Sequence, residues 1–340
     1  VRNPNYWAKD PVGAGKGNQL PYLDGVKFLI IPDFSTRLAA LRTAKIDHVS
    51  GVSLDDATSL RRTNPELKYV RYQSDPAYHI GMRTDKKGSP FSDVRVRRAL
   101  YLAMDKNAIL KEYYGGEAEL LNWPIVRRKE YEKAYCPLEQ LPAEVRELYE
   151  DYNPDKAKQL LAEAGYPNGF KAKVICWNTA TQVDLMSLLK SMWAKVGVGL
   201  TIDAKEYAVW SSIVVSRAYD DMLYSYPAGS GTYYRMNAYW GPSQMNISYV
   251  NDPKIDEARA KMERLFFDED KMEQFHRELM PYVLEQAYAI SPPWPYLYVF
   301  WQPWVKNFYG VISVGYLNGQ SYVKWIWLDQ DLKEKMTGKR

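Results

Sequence analysis

The sequence predicts an α/β protein of two lobes, each a mixed sheet flanked by helices. Three observations carry this expectation. Strand-like and helix-like patterns alternate between Tyr152 and Lys205. A chain of 340 residues with 46% hydrophobic content can bury more than one core. The apolar runs also leave one core near residue 80 and return to it near residue 302.

The stretch 152–205 organises the rest. Asn153 suits an N-cap, Pro154 the first helical position, and Asp155 the positive end of the helix dipole. Ala157, Leu160, Leu161 and Ala164 share one face until Gly165 ends the helix. Residues 171–177 alternate as a strand, and Leu185, Leu188, Leu189, Met192, Trp193 and Val196 mark a helix over 183–196 that Gly197 stops. A second strand over 198–204 completes a right-handed βαβ unit. Ligands collect beyond the carboxyl ends of such strands, which singles out Trp177, Asn178 and Thr179. A helix over 207–217 then leads to a strand over 221–226, whose end delivers Tyr224, Tyr226 and the PAGSG turn.

From the N-terminus, residues 1–23 read as a loop with Tyr6 and Trp7 tucked against a core. A strand over 26–31, a helix capped by Ser35, a strand over 46–49, a helix capped by Ser53 and a strand over 67–72 follow. Residues 78–83 read as the crossing to a second core, begun by the stripe Ala99, Leu100, Ala103 and Met104. Residues 122–151 are irregular. The long aromatic loop between Tyr226 and Tyr249 carries Tyr233, Tyr234, Arg235 and Trp240. Helices over 253–266 and 268–286 precede strand-like runs over 288–291 and 296–301, divided by SPPWP. The expected division is 1–80 with 303–340 for the first lobe and 81–302 for the ligand-binding lobe.

Four stretches resemble one family. NPDKAKQLLAEAGYPNGF at 153–170, RNPNYW at 2–7, LPYLDGVKFLIIPDFSTRLAALRTAKIDHV at 20–49 and FSDVRVRRALYLAMDKNAI at 91–109 are similar to the family 5 extracellular solute-binding proteins, the peptide and oligopeptide receptors of ATP-driven importers. The resemblance implies a periplasmic-binding-protein-like fold that closes on a hinge around a peptide or similar polar organic solute. It further implies a monomer, periplasmic or attached to the cell surface, that serves an ABC permease and needs no cofactor. In the family RNPxYW lies well inside the mature protein, so an N-terminal part is expected to be missing and the first lobe incomplete. In peptide-binding members an aspartate after the strand equivalent to 222–226 pairs with the peptide amino terminus. Here no acid occurs from Leu223 to Gln244. A buried ammonium would lack a counter-ion at that place, which points toward an oligosaccharide or another polar ligand as the alternative.

The remaining chemistry narrows the choice. A net charge of +4 spread among 41 acids does not argue for nucleic acid. No apolar run reaches the length of a membrane span. There is no HExxH, GxSxG or GxxxxGK[ST] motif; His48, His79 and His276 lie far apart, and the GSG at 229–231 lacks the lysine of a phosphate loop. Asp220 and Asp221 alternate across a strand and cannot act as an acid–base pair. The expectation is therefore a binding protein, not an enzyme, with no metal. A receptor that docks with a signalling partner is the alternative from another class. Cys136 and Cys176 are compatible with a disulfide or with two thiols. Aromatic residues reach 14% with 11 Trp and 28 Tyr, more than a core requires, and their flat apolar faces with polar edges suit stacking on a ligand. The candidate contacts are Trp177, Asn178, Thr179, Tyr224, Tyr226, Tyr233, Tyr234, Arg235 and Trp240.

Overall fold

The structure, a computed structural model, describes every residue except 1, 13–14, 76, 227–230, 311–320 and 340. Nearly all of the PAGSG turn, with the start of its GSG, therefore lies outside the described residues. In chain order the strands are β1 (His48–Val52), β2 (Lys68–Gln73), β3 (His79–Met82), β4 (Ala118–Glu119), β5 (Lys171–Trp177), β6 (Gly199–Lys205), β7 (Met222–Ser225), β8 (Ala289–Ile290), β9 (Trp294–Trp301), β10 (Val305–Lys306) and β11 (Trp327–Leu328). Two compact units form, Val1–Tyr72 with Tyr296–Arg340, and Gln73–Pro295. The divisions fall earlier in the chain than 80 and 302 because β3 is a fully buried strand of the second unit's sheet rather than a crossing.

In the first unit, strands run in the order β1-β9-β2, and β10 pairs with β11. Leu38 and Leu41 from the helix Phe34–Arg42, with Ala57 and Leu60 from Leu54–Thr63, pack on Val49, Val52, Tyr298 and Phe300. The first helix is capped by the carboxylate of Asp33, which accepts from Thr36 N, rather than by Ser35. An extended acid one residue before the helix is the stronger acceptor at the dipole's positive end. Residues 26–31 form no strand: no neighbouring strand among the described residues supplies a ladder. Val26, Phe28, Leu29 and Ile30 are exposed, as is Trp7, which is not tucked into a core.

The second unit carries a five-stranded sheet, β6-β5-β7-β3-β8. β5 pairs parallel with β6 over seven rungs and with β7 on its other side, while β3 runs antiparallel to β7 and β8. The crossover helix Ala180–Ala194 starts earlier than its apolar stripe, because the Thr179 side chain caps it. Its Trp193 is fully buried and donates from Nε1 to Leu100 O at 3.0 Å, tying it to the helix Val94–Leu102. Gly81 on β3 lies under Ile247: a Cβ there would stand 2.6 Å from Ile247 Cγ1. Asp221 accepts from Lys173 N at 2.9 Å and Asp220 pairs with Lys86, so both acids have structural partners. Cys136 and Cys176 are free, buried thiols.

Candidate functional site

Parallel pairing aligns the carboxyl ends of β5, β6 and β7, and Trp177 is the last residue of β5. Its backbone N–H donates to Gln182 Oε1 at 3.0 Å, which fixes the turn into the following helix. The Trp177 ring stacks on Trp210 at 6.2 Å and 26°, and lies 5.1 Å from Tyr207. Tyr207 and Trp210 sit three residues apart on the helix Tyr207–Ser216, so they share a face. Trp210 donates from Nε1 to Tyr224 O and reaches Tyr226 at 6.1 Å. Tyr226 in turn lies 5.0 Å from Tyr78, which stacks on Trp294 at 5.5 Å and 25°. Trp294 donates from Nε1 to both the carbonyl and the hydroxyl of Ser74, each at 3.1 Å.

Six rings thus form a continuous wall. Trp210 is buried and backs it; Trp177, Tyr226, Tyr78 and Trp294 are half-buried, and Tyr207 is 48% exposed. Desolvation raises the Tyr78 phenol pKa far above its ordinary value, so this hydroxyl stays neutral and can donate. No ring of the wall carries charge. Such a surface stacks on planar or apolar ligand groups and hydrogen-bonds through phenol and amide edges.

The nine candidate residues divide. Trp177 and Tyr226 lie in the wall. Thr179 is a helix cap and Asn178 is exposed, with its N–H bonded to Lys205 O at 2.8 Å. Tyr224 is corrected: it is 2% exposed and packs within the core, because β7 is buried along its whole length. Arg235 is corrected as well. It is buried and ion-paired with Asp75, an acid far away in sequence, so it is not a guanidinium turned to a ligand. Tyr131 donates to Asp75 Oδ2 at 2.6 Å and accepts from Gly231 N at 3.1 Å, which extends this network. Tyr233 and Trp240 flank Arg259, whose guanidinium stands 3.7 and 4.6 Å from their ring centroids. With the exposed Tyr234 and with Phe266 they form a second aromatic cluster.

Tyr78, Tyr207, Trp210, Trp294 and Gln182 escaped the sequence reading. The i, i+3 spacing of Tyr207 and Trp210 was the available signal, while Tyr78 and Trp294 meet only through the tertiary fold. Burial lowers the pKa of His79 to about 3 and those of His48 and His276 to about 4. Among the described residues no group of three His, Cys, Asp or Glu side chains could hold a metal.

Comparison with known proteins agrees with this architecture. The model of bacterial extracellular solute-binding proteins, family 5 Middle, matches residues 1–247. The chain is 32% identical over 205 residues to the heme-binding protein A of Haemophilus influenzae, covering 58% of this chain and 33% of that protein. It is 27% identical over 251 residues to the glutathione-binding protein GsiB of Pectobacterium atrosepticum, covering 70% of this chain and 46% of the relative. The chain therefore spans a third to a half of these curated relatives. Its fold is that of the Helicobacter pylori periplasmic binding protein DppA in complex with the peptide STSA (TM-score 0.72, 22% identity, 88% of this chain and 56% of that one). It is equally that of the binding protein AgaA from A. tumefaciens R10 in complex with agropinic acid (TM-score 0.73, 24% identity, 91% and 62%). With the family model covering well over half of its residues, this chain belongs to the bacterial extracellular solute-binding proteins, family 5.

Proposed function

We propose that this chain is the ligand-bearing part of an extracytoplasmic receptor for an ABC importer, binding a peptide or similar polar organic solute and delivering it to a membrane permease. The Gln73–Pro295 unit is the ligand-binding lobe in this reading, acting as a monomer without nucleic acid or cofactor. The observation that carries it is the six-ring wall at the strand ends, where four rings are only half-buried and Tyr207 is exposed. The relatives named for heme and glutathione support solute capture rather than catalysis.

A second reading, an oligosaccharide receptor of the same family, is favoured by the absence of charge on the wall. Thermal shift with a peptide mixture and with an oligosaccharide panel separates them. A rise in Tm with peptides only supports the first reading, and a rise with sugars only replaces it with the second. No rise with either, together with no small molecule released on denaturing the purified protein, overturns both.

A further inference from the structure

The short strand β4 pairs with β9 so that Glu119 stands opposite Trp294, the last ring of the wall. On from this rung, residues of the segment 110–139 surround a cavity of about 220 Å³. Its two sides are fixed locally. Pairing with β9 holds 118–119, while Tyr131 O accepts from Ala134 N and Tyr135 N before Pro137 leads into the single turn Leu138–Gln140. Leu110, Leu120, Leu121 and Leu138 give the cavity an apolar side. Tyr135 is buried and donates its hydroxyl proton to Leu121 O at 3.1 Å, which leaves the phenol oxygen free to accept. Arg127 and Glu139 both line the cavity, and their opposite charges both act on this phenol. Among the described residues neither side chain is ion-paired or hydrogen-bonded, and they do not pair with each other. Glu119 adds a second carboxylate to the lining.

Taken singly, Arg127 and Glu139 are exposed charges that water satisfies. What distinguishes them is that opposite charges share one cavity with a leucine-lined side and a phenol oxygen in the field of both. An inorganic ion would meet one charge and leave the other. A cavity of about 150 Å³ accepts benzene, so this one has room for about nine non-hydrogen atoms, the size of leucine and too small for a peptide. An α-amino acid carries both charges and its side chain on one carbon, which matches a guanidinium, a carboxylate and an apolar side around one space. We propose that this cavity binds a free aliphatic α-amino acid, its ammonium donating to Glu139 and the Tyr135 oxygen, its carboxylate held by Arg127 and its side chain against the leucines. Because Glu119 doubles the acid on the lining, the ammonium is the more firmly held end. The site lies beside the aromatic wall and does not depend on the receptor reading.

The test titrates leucine, leucinamide, N-acetylleucine and glycine into the full chain by calorimetry. Leucine is expected to bind most tightly, leucinamide about tenfold more weakly, and N-acetylleucine and glycine more weakly still, with leucine shifting the methyl resonances of Leu110 and Leu138. Glu139→Gln should weaken leucine about tenfold and leave N-acetylleucine unchanged, while Arg127→Gln should weaken leucine to the level of leucinamide. Both positions are exposed, so both variants should keep the Tm of the parent. Trp177→Ala should leave leucine binding as it was. Equal binding of leucine and leucinamide, unmoved by Arg127→Gln, would overturn the zwitterion and leave a site for a simple cation. Loss of leucine binding in Trp177→Ala, with the leucine methyls unshifted, would place the amino acid on the wall and overturn the cavity. Failure of leucine to bind, in a protein whose Tm still rises with peptides or sugars, would overturn the cavity site while the receptor role survives.

Discussion

The two aromatic clusters of the Gln73–Pro295 unit look alike in the sequence, and what lies on their ring faces separates them. Around Trp177 the rings stack on one another, and Tyr78 also meets the buried Tyr224. Around Tyr233 and Trp240 the guanidinium of Arg259 already occupies both faces, held by Tyr233 O at 3.0 Å, Asn237 Oδ1 and Glu263 Oε1. The second cluster stacks on an internal cation, whereas the first is built of rings against rings. An aromatic-rich composition thus says little about binding until the occupant of each ring face is known.

The comparison can be broken in four ways. The largest effect concerns the interior behind both clusters. His79 and His276 are neutral because burial holds their pKa near 3 and 4, and His48 behaves alike in the other unit. Between pH 6.5 and 4 the unfolded chain takes up protons that the folded chain refuses. The stability conferred is thus complete above pH 6.5 and is lost as pH falls through this window, by about 1.4 kcal/mol per histidine for each pH unit. Urea midpoints measured from pH 7 to 4.5 should fall steadily; a flat profile would mean that water reaches these rings.

Next comes Asp75→Ala, which strands the buried Arg235 charge and should cost about 3–5 kcal/mol in urea denaturation. A loss below about 1 kcal/mol would show Arg235 to be solvated and restore it as a ligand contact. Trp177→Ala should weaken solute binding about tenfold, a loss of about 1.4 kcal/mol, with little change in Tm, because the ring ends a strand and is only half-buried. Unchanged affinity would remove the wall from the binding surface. Smallest is Arg259→Ala, expected to lower stability by about 1 kcal/mol and leave affinity untouched. A change in affinity would make the second cluster part of the site.

Much of the second unit was legible because its signals are local. Asn153, Pro154 and Thr179 act within one turn, and the βαβ periodicity of 152–205 needs no distant partner. Trp177 and Tyr226 followed from that topology alone. What escaped depends on contacts between remote segments: Asp75 with Arg235, Tyr78 with Trp294, Trp123 with His79. The apolar run over 26–31 misled for the complementary reason, since strand propensity states a preference that only a paired neighbour realises.

Gly81 has a use that follows from its missing side chain. Because Ile247 presses directly on the strand there, a single methyl at this position would act as a wedge beneath the segment that lies against the wall's backing. Gly81→Ala thus offers a mechanical handle: it tilts the support under Tyr78 and Tyr226 without altering any ring, and so separates the shape of the binding surface from its composition.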